Sequence, residues 1–345
     1  MKKVLVGMSG GVDSSVAATL LLEHGYDVTG ITFIMQDTED AAASAADAKA
    51  VCDLLGIQHL IVDLSAQFKK HVIDYFISEY ERGRTPNPCV ICNKYIKFRY
   101  MAETAAEKRL DHIATGHYAG LSVYPATGRY ALTKSGAGKK DQTYFLYGLS
   151  QEQLKSVIFP LSKLNKDEVR LLAGKYNLPT AKKSDSQEVC FITNDDYGAY
   201  IRNNTGLDSI PGNFVTADGE VLGKHAGLPF YTIGQRKGLG LAKGKPLYVI
   251  SIDNVKNEIL LGDERALYKN EFFVSNVDLQ AYETIDREMD VTVKIRNQAP
   301  EAPAKIIPIN QGLKIIFNEP QRAVTPGQAA VFYIDEDLIG GGIIQ

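Results

Sequence analysis

The seven residues Ser9-Gly10-Gly11-Val12-Asp13-Ser14-Ser15 lie between an apolar run, Val4 to Val6, and an amphipathic segment carrying Val16, Ala17, Leu20 and Leu21. That pattern predicts a strand, a tight glycine loop and a helix. Two glycines let the backbone pass close to a ligand, the hydroxyls of Ser9, Ser14 and Ser15 add donors, and the first-turn N–H groups of the helix point the same way. Such a site takes an anion, and a phosphate chain suits it best. The loop holds no Lys and no Gly-Lys-Ser/Thr, so it is not the P-loop of ATPases that cleave between the second and third phosphates.

Up to about Thr115, strand-like runs at Val4–Val6, Val28–Phe33, Leu60–Val62 and Ile113–Thr115 alternate with helical patterns at Val12–His24, Ala41–Leu55, Phe68–Tyr80 and Asn93–Arg109. This alternation predicts a parallel sheet with right-handed crossovers. Ligands of such sheets bind beyond the carboxyl ends of the strands, where the glycine loop, Phe33 and the Thr115-Gly116-His117 turn all fall. Gly116 fits either close approach of a nucleotide or a simple turn.

Between the third and fourth strands, Arg82 to Lys94 contains Thr85-Pro86-Asn87-Pro88-Cys89-Val90-Ile91-Cys92. Its two prolines predict a loop that enters a helix near Asn93. A helix N-terminus at Cys92, with Lys94 and Arg84 nearby, is expected to lower the thiol pKa and make Cys92 a nucleophile. Cys-x-x-Cys is shared by redox pairs, zinc halves and iron-sulfur ligands, and no second pair completes a four-cysteine zinc site. Of the other two cysteines, Cys52 lies in a helical pattern and is expected to be core, and Cys190 follows the polar loop Ala181 to Glu188.

A hairpin is expected at Leu121–Tyr124 and Tyr130–Thr133, followed by an exposed polar head at Lys140-Asp141-Gln142. From about Gly206 the pattern changes to short strands, with a glycine-rich basic stretch, Gly234 to Gly240, suited to a phosphate backbone. From Phe272 onward, further alternating strands predict a small antiparallel barrel.

At 345 residues the chain is long enough for two or three domains. With 45% hydrophobic and 23% charged residues, and no membrane-spanning run, it reads as a soluble cytoplasmic protein. A net charge of −3 gives no global attraction to nucleic acid, although Lys139-Lys140, Lys182-Lys183, Arg236-Lys237 and Lys243 with Lys245 form basic clusters. Four cysteines are too few for a disulfide scaffold of this size.

The Ser9 to Ser14 block resembles the Ser-Gly-Gly-x-Asp-Ser signature of the PP-loop ATP pyrophosphatases, which implies cleavage of ATP to AMP and pyrophosphate. Adding Thr85 to Asn93, Ala114 to Tyr118, Lys140-Asp141-Gln142, Cys190-Phe191-Ile192 and Gly234 to Gly240 in this order, the whole chain resembles the bacterial tRNA 2-thiouridylases. The resemblance implies a multidomain α/β plus β architecture: a parallel-sheet pyrophosphatase domain at 1–205, a small, mostly β central domain at 206–270 and a C-terminal antiparallel β-barrel at 271–345. It further implies 2-thiolation of the wobble uridine of tRNA for lysine, glutamate and glutamine, by adenylation of the uracil C2 oxygen.

By the same resemblance, Gly7, Met8, Ser9, Gly10, Gly11, Val12, Asp13, Ser14, Phe33 and Gly116 hold ATP. Asn87, Pro88 and Cys89 meet the target base, and Lys140, Asp141, Gln142, Arg296 and Asn297 contact tRNA. Cys190 carries a persulfide. Cys92 either resolves it, leaving a Cys92–Cys190 disulfide, or releases hydrosulfide. Mg²⁺ would bridge the phosphates with help from Asp13. Many relatives have Asp at the position of Cys89, so Cys89, Cys92 and Cys190 are also candidate ligands of an iron-sulfur cluster. A sulfur-carrier protein or cysteine desulfurase is the implied partner besides tRNA, and the chain is expected to act as a monomer. Two other readings stay open on the residues alone: a PP-loop synthetase acting on a small molecule, and a non-catalytic nucleotide or tRNA binder.

Overall fold

A computed structural model describes residues 1–184, 189–192, 197–205, 210–241 and 245–345. Residues Asp185 to Glu188 of the polar loop, Gly206 and Lys243 fall outside the described residues.

Strands β1 (Lys3–Gly7), β2 (Asp27–Ile34), β3 (Gln58–Asp63) and β4 (His112–Ala114) are parallel, and with a two-residue strand, Val157–Ile158, they make a sheet in the order β3-β2-β1-β4 and then that short strand. The order reverses between β1 and β4, so the crevice of a doubly wound sheet opens at their carboxyl ends. Both the glycine loop after β1 and the Gly116 turn after β4 border it.

Helix α1 (Val12–Glu23) follows the loop, and α2 (Glu39–Leu55) starts at a Thr38 cap and stops at left-handed Gly56. After β3, α3 (Ser65–Phe68) and α4 (Asp74–Glu81) flank a π-helical turn at Lys69–Ile73. A second interrupted helix carries the cysteine motif: α5 (Pro88–Cys92), a π-helical turn at Asn93–Lys97, then α6 (Phe98–Glu107). The helix therefore begins at Pro88, five residues earlier than the prolines suggested. Pro88 occupies the first helical position, where its missing N–H costs nothing, and the Asn87 side chain accepts from Cys89 N at 3.2 Å.

The expected hairpin forms as β5 (Gly120–Val123) and β6 (Tyr130–Thr133). Counting the short strand above as β7, helices α7 (Gln151–Ser156), α8 (Lys166–Lys175) and α9 (Tyr197–Thr205) follow, the first two opened by capping boxes. The middle of the chain forms β8 (Gly212–Val215), β9 (Val221–His225), β10 (Tyr248–Asp253) and β11 (Glu258–Gly262) in the order β10-β11-β8-β9, with β11 parallel to β8.

The remaining six strands, β12 (Tyr268–Leu279), β13 (Met289–Lys294), β14 (Ala302–Ile309), β15 (Gly312–Arg322), β16 (Ala329–Ile334) and β17 (Asp337–Ile344), close into an antiparallel barrel through β12–β17 pairing. The alternation that marks them buries Val291, Val293, Ala304, Ile306, Leu313 and Ile315 inside.

The hairpin does not stay with the first sheet. Thr133 of β6 pairs with Asp337 of β17, so β5 and β6 extend the barrel sheet. One core consequently runs from Leu5, Ile31 and Phe98 through Leu132, Tyr144 and Tyr147 to Val331, Tyr333 and Leu338. Gly341 in β17 is required by this junction, because a Cβ there would lie 2.7 Å from the Tyr147 ring. Buried Gln280 completes it, accepting from Leu132 N and donating to the carbonyls of Leu146 and Tyr147.

Candidate active site

The glycine loop is shaped by its own hydroxyls. Ser9 N donates to Ser14 Oγ at 3.2 Å, Gly11 N to Ser9 Oγ at 3.3 Å, and the hydroxyls of Ser14 and Ser15 both donate to Gly11 O. Gly10 has φ +70°, and a Cβ on it would sit 2.2 Å from Ser44 O, so only glycine permits the loop to seat on α2. Gly11 caps α1 in an extended conformation with no side-chain acceptor, which leaves the helix's amide end open to an anion. Met8 is buried, and its carbonyl accepts from Thr32 Oγ1 at 2.7 Å. Val12 is buried, Gly7 packs on Met101, and Phe33 joins two core clusters at the end of β2.

Two of the expected ATP-site residues also have partners within the protein. At Gly116 a Cβ would lie 2.7 Å from Asp13 C and Ser14 N, so the turn after β4 packs directly on the start of α1. Asp13 already has partners. Both of its carboxylate oxygens lie 2.8 Å from Lys166 Nζ, and Tyr118 Oη donates to Oδ1 at 2.8 Å.

The cysteines come together. Cys89 is half-buried, Cys92 is buried, and Cys190 is exposed with enough protein around it to desolvate its thiol. Phe191 and Ile192 pack in the same apolar cluster as Cys92, with Phe191 edge-on to Phe68 and Phe76. Burial pushes the Cys92 thiol up to about 12 and the Cys89 thiol to about 11, with Lys97 opposing both. Burial likewise raises Cys190, again against Lys97. The expectation of a lowered Cys92 pKa is therefore corrected: Cys92 ends α5 instead of starting a helix, and both proposed cations are engaged elsewhere. Lys94 pairs with Asp278 at 2.6 Å and Arg84 with Glu79 at 2.8 Å.

Lys97 is the cation that the sequence reading missed. Burial acts to lower its pKa, but Cys92, Cys190 and Cys89 act the other way and leave it above the ordinary lysine value. The π turn explains its placement. One extra residue within the turn shifts Lys97 back towards the helical face shared by Cys89 and Cys92, whereas an uninterrupted α-helix would turn it away.

His117 connects the two halves. It follows Gly116, its ring lies 5.7 Å from that of Phe98, and Nδ1 meets Thr115 Oγ1 at 2.8 Å. Burial and then Lys97 hold its pKa down to about 3, so the imidazole is neutral at pH 7. Ser14, Gly116, His117, Lys97 and Cys92 thus form a short bridge between loop and thiols.

The expected tRNA contacts fare unevenly. Lys140 is exposed. The Asp141 carboxylate holds its own turn, accepting from Ser135 N, Thr143 N and Thr143 Oγ1, and Gln142 Oε1 accepts from Tyr118 N. Arg296 points inward, donating to Ile233 O at 3.2 Å and Thr325 Oγ1 at 2.7 Å, so it ties the middle strands to the barrel instead of facing solvent. Asn297 is half-buried. Cys52 is fully buried, as expected. No group of three or more His, Cys, Asp or Glu side chains among the described residues is arranged to hold a metal ion.

The family described as tRNA methyl transferase HUP domain matches residues 2–194, the associated PRC-barrel domain matches 202–263, and an aminomethyltransferase β-barrel domain matches 269–344. A curated relative from Acetivibrio thermocellus, a tRNA-specific 2-thiouridylase MnmA, is 46% identical over 100% of this chain and 99% of its own length. The chain belongs to the MnmA family. Another MnmA, from Carboxydothermus hydrogenoformans, is 45% identical over 100% of this chain and 98% of its own. Among solved structures, the U34-tRNA thiolase NcsA from Methanococcus maripaludis is 22% identical, with a TM-score of 0.37, over 59% of this chain and 64% of that one.

Proposed function

We propose that this MnmA-family chain thiolates the wobble uridine of tRNA for lysine, glutamate and glutamine at C2, using ATP. One observation carries the reading: a helix terminus open at the carboxyl end of β1 and three thiols that all act on Lys97 are linked through Gly116 and His117. The names of its relatives support it.

The chemistry runs in two steps. The uracil O2 attacks the α-phosphorus of ATP, the bond to the bridging oxygen breaks, and its electron pair leaves with pyrophosphate. The loop amides and the α1 terminus accept the phosphate charge, and Mg²⁺ accompanies the nucleotide. In the direct branch the outer sulfur of the Cys190 persulfide adds to C2, AMP departs with the former O2, and the Cys92 thiolate attacks Cys190 Sγ, so the S–S pair moves onto the sulfur left on C2. In the other branch Cys92 attacks first and the hydrosulfide it releases adds to C2 as AMP departs, and both branches leave a Cys92–Cys190 disulfide. Lys97 stabilises the thiolates that form on the way. Asn87 and Pro88 place the base beside Cys89, and Lys140 meets the RNA while Asp141 and Gln142 hold its turn.

A second route has Cys89, Cys92 and Cys190 ligate an iron-sulfur cluster that would bind the sulfide; it requires the three thiols to move together, since among the described residues no such group is arranged to hold a metal ion. A lysine among three thiols suits thiolate chemistry without a metal, and we place the persulfide route first. We assign domains at 1–205, 206–270 and 271–345, a monomer working in the cytoplasm, and a sulfur-carrier protein or cysteine desulfurase as donor.

The test is nucleoside mass spectrometry of unmodified tRNA incubated anaerobically with the protein, ATP, Mg²⁺ and a sulfide donor. 2-Thiouridine is expected with the unaltered chain and absent without ATP or with Cys92→Ser. AMP and pyrophosphate formed with no thiolated base would instead point to a small-molecule synthetase.

A further inference from the structure

One cation beside the phosphate loop has no role in the chemistry above. Lys183 Nζ donates to the Gly10 carbonyl at 3.0 Å and pairs with Asp47 Oδ2 of α2 at 2.6 Å. Its segment is fastened to the loop's own helix. Thr180 Oγ1 donates to Ser15 Oγ at 3.0 Å, Lys183 N to Thr180 O at 2.9 Å, and Arg170 Nη1 to Lys183 O at 3.2 Å. Gly10, clamped on Ser44, fixes where that ammonium sits relative to the open amide end of α1.

A lysine touching the backbone of an anion-binding loop stands where a P-loop carries its own, yet it is supplied 173 residues further along the chain. Lys166, the other lysine near the loop, is bound to both oxygens of Asp13 and is only 15% exposed. The Lys183–Asp47 pair is 37% and 48% exposed, so solvent screens it and a multiply charged anion outcompetes the single carboxylate.

We infer that Lys183 is the cation of the phosphate site, held by Asp47 and Gly10 when the site is empty and taken over by the β- and γ-phosphates of ATP when it is filled. It stays with pyrophosphate as the bond from the α-phosphorus to the bridging oxygen breaks and the electron pair moves onto that oxygen. The inference rests on the nucleotide reading above and adds the residue that supplies the charge.

Calorimetric titration of ATP with Mg²⁺, and of AMP, into the full chain and its Lys183→Gln, Lys183→Arg and Asp47→Asn variants tests it, alongside thermal melts without ligand. Lys183→Gln is expected to weaken ATP by about tenfold or more and AMP by less than about twofold, since a charge-assisted contact to the outer phosphates is lost. Lys183→Arg should keep most of the ATP affinity, and Asp47→Asn should bind ATP as well as the unaltered chain or more tightly. Unchanged ATP affinity in Lys183→Gln overturns the inference. So does weakening by Asp47→Asn to the same extent with a matching drop in melting temperature, the signature of a structural bridge. If Lys183→Gln does not fold, the sign of the Asp47→Asn effect decides alone. An unaltered chain that binds no ATP overturns the nucleotide reading itself, whereas an ATP-binding chain indifferent to Lys183 removes only this inference.

Discussion

Gln328 of the barrel donates its side-chain amide to the carbonyl of Thr85 at 3.1 Å, three residues before the second proline of the cysteine motif. Thr85 N in turn donates to Pro326 O at 2.9 Å, and Arg84 reaches Ile344 O at 3.1 Å. A loop that must present Cys89 and Cys92 is thus held by a different unit of the chain.

Gly327 is the weak point of that brace. It has φ +93°, and a Cβ would lie 2.9 Å from Thr85 N. Gly327→Ala should destabilise the protein by about 1–3 kcal/mol. Thiolation should fall at least tenfold while ATP affinity, set by the glycine loop and the start of α1, stays the same; nucleoside analysis and calorimetry on one preparation separate the two effects.

The thiols make a kinetic prediction. With Cys92 pushed up to about 12, its alkylation by iodoacetamide should rise about tenfold per pH unit from pH 7 to 10 without levelling off. Lys97 lowers the thiol pKa values, so Lys97→Met should slow alkylation of Cys89, Cys92 and Cys190 at any fixed pH. Peptide mass spectrometry reads each site, and a plateau for Cys92 below pH 9 would contradict the burial argument.

His117 gives a stability prediction with a definite sign. Its pKa falls from 6.5 to about 3 on folding, so the unfolded chain takes up the proton first. Its contribution is complete above pH 6.5 and declines as pH drops from there towards 3. Urea midpoints of the unaltered chain should fall between pH 7.5 and 5 more steeply than those of His117→Gln; equal slopes would mean the ring titrates normally.

Chelation distinguishes the sulfur routes. Excess EDTA should abolish AMP formation by removing the magnesium that accompanies ATP. An iron chelator added to anaerobically purified protein should leave thiolation intact on the persulfide route, and loss of activity together with released iron and sulfide would establish the cluster.

Much of this was legible in the sequence because it is local. Small polar residues at Ser9 to Ser15 dictate a strand, loop and helix, and period-two alternation at Met289 to Lys294 dictates a barrel strand. Cys89 and Cys92 were visible for the same reason. What was hidden depends on distant partners or on single-residue changes of register. Lys166 and Lys183 reach the loop from more than 150 residues away; Lys183 was visible only as half of the Lys182-Lys183 cluster, with nothing to tie it to the loop. Lys97 meets the thiols only through a π turn, which no residue pattern announces. Arg296, assigned to tRNA by the family resemblance, also holds Ile233 O and Thr325 Oγ1, partners that its own neighbourhood does not announce. Val157–Ile158 is too short to leave a periodic trace.

The pairing of Thr133 with Asp337 sets an order of events during synthesis. A chain that has left the ribosome only as far as the middle strands already contains every residue of the phosphate loop, yet it lacks β17, Gln328 and the carbonyl that Arg84 grips. The brace on the cysteine loop therefore forms only once the barrel strands have been made, however early the residues of the phosphate loop emerge.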